Sequence, residues 1–237
     1  MATNIPKLTL YRFNGSCALI PNALLLHYKI PFSAIRMRSG PDGFEAADGS
    51  FTNAEYRKIH HMGYVPALVV DGNEVITELP AVVGYISSLV PDENLLGVTA
   101  LEKARVAEWL AWLSGTVHGR AYGMMRRPGR FSDDPSTFDG IRTKGREAVD
   151  EAYARIDSRL QDKEFAVGNY LTVVDFTLYI FYRWILELEV DVETVYPSLY
   201  KYGKTLEKLQ GVKEVLEIEQ LDAPDFSFPL GGRTSEQ

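Results

Sequence analysis

Residues 7–13 (KLTLYRF) alternate apolar and polar positions, Leu8 and Leu10 flanking Thr9, which predicts a strand. Asn14–Gly15 breaks that pattern, and over 16–29 Leu19, Ala23 and Leu26 recur at helical spacing. Ser16 is the expected N-cap of this helix. Pro21, about one turn inside, predicts a kinked or late-starting first turn. A second strand is predicted over 31–37, then a polar, turn-rich loop over 39–52 and a short helix over 53–61. PALVV at 66–70 and EVIT at 74–77, separated by Asp71–Gly72, predict a hairpin. A helix is predicted over 79–89.

The character of the chain changes near residue 92, after which almost every segment carries helical periodicity. Residues 100–126 predict one long helix with Leu101, Val106, Trp109, Leu110, Leu113 and Val117 in a stripe. A break at 128–135 and a helix over 136–161 follow. Thr172-Val173-Val174-Asp175 is a capping box opening the very apolar run 172–188, which predicts a helix buried on most sides. Helices over 194–209 and 212–220 and an irregular tail complete the chain. The expected architecture is α/β followed by all-α: a mixed sheet with helices on its faces, then a helical bundle.

Composition narrows the functions. The 237 residues are 46% hydrophobic and 24% charged with a net charge of −7, so a disordered chain is excluded and general nucleic-acid binding is disfavoured. No apolar run reaches the eighteen or so residues of a membrane span, and the first residues lack a secretory signal, so a cytoplasmic location is expected. The single cysteine excludes an internal disulfide, a thiolate metal cluster and a dithiol redox motif. The four histidines have no H-x-x-x-H spacing, so no zinc site is expected.

Cys17 follows a strand and a glycine turn and opens a helix. That position favours a thiolate there, on the residue or on a ligand. A small buried core residue fits equally well. Val65–Pro66 is either a rigid strand entry or a cis bond that presents the Val65 backbone to a ligand. Backbone N–H groups at Glu78–Leu79, just before Pro80, suit a ligand carboxylate, and Glu78 suits an ammonium group. His118 shares a face with Ala104, Ala107, Ala111, Gly115 and Tyr122, small residues that leave room for a neighbouring helix or a cleft. Arg126, Arg127 and Arg130 form a basic cluster, read either as an attractant for an acidic substrate or as a solvated helix end.

In order and spacing, these pieces resemble the cytosolic glutathione transferases. The resemblance runs from about Lys7 to Gln220, through 63–68 (GYVPAL), 77–86 (TELPAVVGYI) and 168–175 (GNYLTVVD). Within that family the chain looks most similar to the bacterial-type beta class, through Gly15-Ser16-Cys17-Ala18-Leu19-Ile20-Pro21 and the Trp109–His118 spacing. The resemblance implies a thioredoxin-like domain with a four-stranded mixed sheet over 1–91, an all-helical domain over 92–222 and a tail over 223–237. It implies Cys17, His118 and Ser16 as catalytic residues, and Val65, Pro66, Glu78 and Leu79 as glutathione contacts. Tyr122 and Met125, with Met124, would line the electrophile pocket, no metal would be needed, and the protein would be a homodimer. The implied function is activation of the glutathione thiol for attack on a small hydrophobic electrophile. Isomerisation, dehalogenation or thiol transfer on the same fold, and a non-catalytic binding module, are the rivals. The chain departs from relatives in carrying Leu79 where many have serine, Gly119 where the beta pattern has lysine, and a long 38–52 loop.

Overall fold

The structure is a computed structural model that describes residues 5–221. β1 (Leu8–Arg12) lies at the centre of a five-stranded sheet of order β3-β2-β1-β4-β5. β2 (Ser33–Gly40) runs parallel to β1, which requires the crossover that α1 (Leu19–His27) supplies. β4 (Ala67–Val70) pairs antiparallel to β1, with Leu10 opposite Leu68, and β5 (Glu74–Ile76) closes the hairpin expected at Asp71–Gly72. The alternation in β1 is real. Leu8 and Leu10 enter the main core, whereas Tyr11 packs on the opposite face with Met37, Tyr56, Val65 and Ala67.

Three local expectations change. The expected loop holds a fifth strand, β3 (Gly43–Ala46), because β2 extends to Gly40 and pairs antiparallel with it. The sheet therefore has one strand more than expected. The helix of 53–61 is only one turn, α2 (Asn53–Tyr56), capped by Thr52 and Glu55. α1 begins at Leu19 with Ala18 as its N-cap, so Ser16 is not the cap and Cys17 lies in the preceding turn. The late start expected from Pro21 is what forms.

α3 (Leu79–Ser88) leads to the helical half. The predicted long helix is a continuous rod that changes its winding. α4 (Ala100–Ala111) is followed by a wide-turn segment with i→i+5 hydrogen bonding over Trp112–Tyr122, then by α5 (Gly123–Arg126). The break at 128–135 is made of two single turns, Pro128–Arg130 and Pro135–Thr137. α6 (Phe138–Leu160) and α7 (Val173–Leu186) follow, and every residue of α7 from Val173 to Ile185 is buried. The Thr172–Asp175 capping box forms, with Thr172 N donating to Asp175 Oδ2 at 2.6 Å. The helix expected over 194–209 divides at Pro197 into α8 (Val192–Val195) and α9 (Pro197–Leu206). α10 (Gln210–Glu219) packs on α1, where Gly211 admits the Ala23 carbonyl and His27 at distances no side chain would allow. The expected tail over 223–237 lies outside the described residues. No described helix is long and apolar enough to cross a membrane.

Candidate active site

The turn between β1 and α1 is the most heavily tied piece of backbone near the cleft. Gly15 has φ +69°, a left-handed conformation that glycine adopts without steric cost. Its N–H donates to Glu219 Oε2 at 2.8 Å, and its carbonyl accepts from Trp184 Nε1 at 3.0 Å. Helices α10 and α7 thus hold both polar groups of one residue. Glu219 is 2% exposed and also accepts from Asn22 Nδ2 at 3.0 Å. Its other oxygen-bound partner is Arg12, 3.5 Å away, which in turn donates to Asn14 Oδ1 at 2.7 Å. Asn14 Nδ2 closes the loop by donating to the Glu219 carbonyl at 2.8 Å. A buried carboxylate and a buried guanidinium are tolerable here because each is paired and hydrogen-bonded.

Ser16 and Cys17 sit on this fixed turn and line a cleft between the sheet and the helices. Ser16 Oγ donates to the Phe13 carbonyl at 2.7 Å and accepts from Ala18 N at 3.2 Å, so its proton is committed to the protein. Cys17 is 8% exposed and its Sγ donates toward the Val65 carbonyl at 3.5 Å. Burial pushes the Cys17 thiol up to about 12, more than the nearby Arg127 pulls it down, and Glu78 adds to the rise. The expectation that the helix start ionises this cysteine fails for that reason. The sulfur lies before the first helical residue, where desolvation outweighs the dipole. Val65–Pro66 is a cis peptide bond.

The opposite wall comes from the wide-turn segment. His118, Tyr122 and Arg126 are four residues apart and line the same cleft, joined by Gly123, Arg127, Arg130, Phe44, Tyr64 and Trp184. His118 packs beside Trp184 with ring centroids 4.8 Å apart and planes tilted by 54°. Burial, and then Arg127, Arg130 and Arg126, depress His118 to about 4, so it is neutral at physiological pH. Tyr122 is buried, its hydroxyl 2.8 Å from that of Tyr153, which donates to the Phe181 carbonyl at 2.7 Å. Only the ring of Tyr122 is available to a ligand. Arg126 pairs with Glu187 at 2.8 Å, and the Arg130 guanidinium lies 4.8 Å from the centroid of the Tyr64 ring. The space within the cleft, open solvent at its mouth included, is ≈ 770 Å³.

The geometry brings together Ser16, Cys17, Val65, His118 and Tyr122. Pro66, Glu78 and Leu79 do not line this cleft. Leu79 is buried, and Glu78 is an exposed residue of φ +65° at the start of α3. Met125 is also elsewhere. A side chain on Gly145 of α6 would collide with the Met125 backbone, and Met125 lines a separate pocket with Arg142 and Arg146. Trp184, Phe44 and Tyr64 were not singled out by sequence; Arg126, Arg127 and Arg130 were, as a basic cluster that either attracts an acidic substrate or ends a helix, and they line the cleft. The four-residue spacing from His118 to Arg126 was the available signal for the first arginine. No group of three or more His, Cys, Asp or Glu residues suited to a metal ion occurs among the described residues.

Comparison with known proteins gives one consistent result. The family model for the glutathione S-transferase C-terminal domain matches residues 141–210. Glutathione S-transferase GstA of Escherichia coli O157:H7 is 23% identical over 180 residues, 76% of this chain and 83% of that protein. The beta-class glutathione S-transferase of Sphingomonas chungbukensis superposes with TM-score 0.77 at 25% identity, covering 90% of this chain and 99% of that one. A sphingomonad glutathione S-transferase solved with glutathione superposes with TM-score 0.76, also at 25% identity, covering 90% and 99% of the two chains. With its mixed sheet, helical half and intervening cleft, the chain is similar in sequence and in fold to the glutathione S-transferases of the bacterial type.

Proposed function

We propose that glutathione enters the cleft at Val65 with its sulfur at the Ser16–Cys17 turn, extends out of the cleft toward Glu78 and Leu79 at the start of α3, and that the bound thiolate attacks a small electrophile held against the helical wall. The observation that carries this reading is the convergence of Cys17 and Val65 from the sheet with His118 from the helices on one cleft. Glutathione is the nucleophile, because the Cys17 thiol, at about 12, is fully protonated near pH 7. A glutathione thiol resembles a free cysteine, at about 8.5, and lowering it by ~2 units takes about 2.7 kcal/mol of preferential anion stabilisation. Arg127 acts on the sulfur position at Cys17 in that direction. The Ser16 hydroxyl must leave the Phe13 carbonyl before it can donate to a thiolate. His118, at about 4, is too weak a base to take the thiol proton at neutral pH, so that proton goes to solvent and His118 forms part of the wall.

In the attack the carbon–sulfur bond forms as the leaving group departs with its electron pair. Isomerisation or dehalogenation on the same site differs only in a later loss of glutathione, and product analysis separates them. Thiol transfer through a Cys17–glutathione disulfide is disfavoured by the protonated state of Cys17. A homodimer, carried by the resemblance, is checked by sedimentation. Retention on immobilised glutathione, followed by turnover of 1-chloro-2,4-dinitrobenzene, tests the central reading. Retention with saturable turnover is expected. Absence of both overturns it in favour of a non-catalytic module.

A further inference from the structure

We infer that the helical wall selects a second substrate that carries a carboxylate on an aromatic or apolar body; this rests on the transferase reading above. Arg126, Arg127 and Arg130 all line the cleft, and among the described residues no aspartate or glutamate does. The chain as a whole carries −7, so its long-range field repels anions, and three guanidiniums at one cleft reverse that field locally. They are not equally neutralised. Arg126 has its Nη2 on Glu187 but leaves Nε buried without a partner. Arg130 rests on the Tyr64 ring. Arg127 forms no ion pair among the described residues, and Arg130, Tyr64, Cys17 and Arg126 are the charged or ionisable groups that act on it most.

The remaining lining is aromatic: Phe44, Tyr64, Tyr122 and Trp184. Planar guanidiniums beside ring faces suit a planar acid, because a guanidinium binds a carboxylate in a two-pronged fashion while the rings take the apolar body. His118 is neutral and adds no competing charge. A purely hydrophobic electrophile would offer no acceptor to the buried Arg126 Nε or to the cleft-lining side of the exposed Arg127.

Glutathione also carries carboxylates, so the test must separate the two sources. The probes are 4-chloro-3-nitrobenzoate and 4-chloro-3-nitrobenzamide, each losing chloride as the glutathione sulfur bonds to the ring. Each kcat/KM at saturating glutathione is divided by the uncatalysed rate constant of the same probe. The corrected value for the benzoate is expected to exceed that for the benzamide by tenfold or more, and to fall toward it as ionic strength rises. Arg127→Gln is expected to reduce the benzoate-to-benzamide ratio at least fivefold, and Arg130→Gln by less. Any help Arg127 gives to the thiolate is common to both probes and cancels in the ratio.

A wild-type ratio near one overturns the inference. So does an Arg127→Gln variant that raises the KM for glutathione and leaves the ratio unchanged, since the arginine then holds glutathione itself. Calorimetric titration of 3-nitrobenzoate and 3-nitrobenzamide into the protein saturated with S-methylglutathione needs no turnover. Preferential binding of the benzoate without catalysis would retain this inference while removing the transferase reading. Turnover of neutral probes with no benzoate preference would do the reverse.

Discussion

The two walls of the cleft are built on opposite principles. On the sheet side, the Asn14–Cys17 turn is saturated with hydrogen bonds, and its charges, Arg12 and Glu219, are paired out of reach of a ligand. On the helix side, three guanidiniums reach the cleft itself; among the described residues each side keeps one buried arginine nitrogen without a partner, Arg12 Nε and Arg126 Nε. A wall whose charges are paired away from the cleft holds an atom in position, whereas a wall that turns its charges into the cleft discriminates among ligands. His118 and Tyr122 of the wide-turn segment and Arg126 of α5, four residues apart in turn, supply one face of the continuous rod to the second wall.

The largest effect should come from breaking the fixed wall. Glu219→Ala leaves Arg12 without its ion-pair partner and Asn22 and the Gly15 N–H without their acceptor. The expected loss is about 3–5 kcal/mol of folding stability, read by urea denaturation. Glu187→Ala, which frees the more exposed Arg126, should cost far less. Equal losses would erase the distinction between the walls.

Gly15→Ala comes next. Space is not the obstacle, since the nearest atom to an added Cβ is Leu221 Cδ2 at 3.7 Å. The cost lies in φ, and about 1–2 kcal/mol of stability should be lost, together with turnover. Unchanged stability would mean that the turn relaxes without harm.

The smallest effect concerns His118 and pH. Its folded value, about 4, is below its ordinary value of 6.5. As pH falls below about 6.5 the unfolded chain takes up a proton that the native state refuses, so stability declines until about pH 4. His118→Gln should therefore lose less stability than the wild type between pH 7 and pH 5. Identical slopes in the two proteins would show that the imidazole is open to solvent.

Local signals reached far into this molecule. The alternation of β1, the Asp71–Gly72 hairpin and the Thr172–Asp175 cap are each written within a few residues, and each forms. Features that depend on partners distant along the chain were not legible. β3 offers little apolar pattern beyond Phe44 and exists because β2 is beside it. Glu219 is separated from Gly15 by 204 residues, and nothing in its own segment marks it as a clamp. Cys17 was legible as either a ligand-facing thiol or a buried core residue, and the choice could not be made locally, because its burial is decided by the whole core. The arginines at 126–130 look like an ordinary helix end until α7 and the sheet close the cleft around them.

The account depends on which sulfur is ionised. Ultraviolet difference titration of the thiolate, in the presence and absence of glutathione, measures this for the wild type and for Cys17→Ala. A thiolate that appears only with glutathione, titrates well below about 8.5 and persists in Cys17→Ala is the predicted result. A thiolate seen near pH 7 without glutathione and abolished by Cys17→Ala would contradict it.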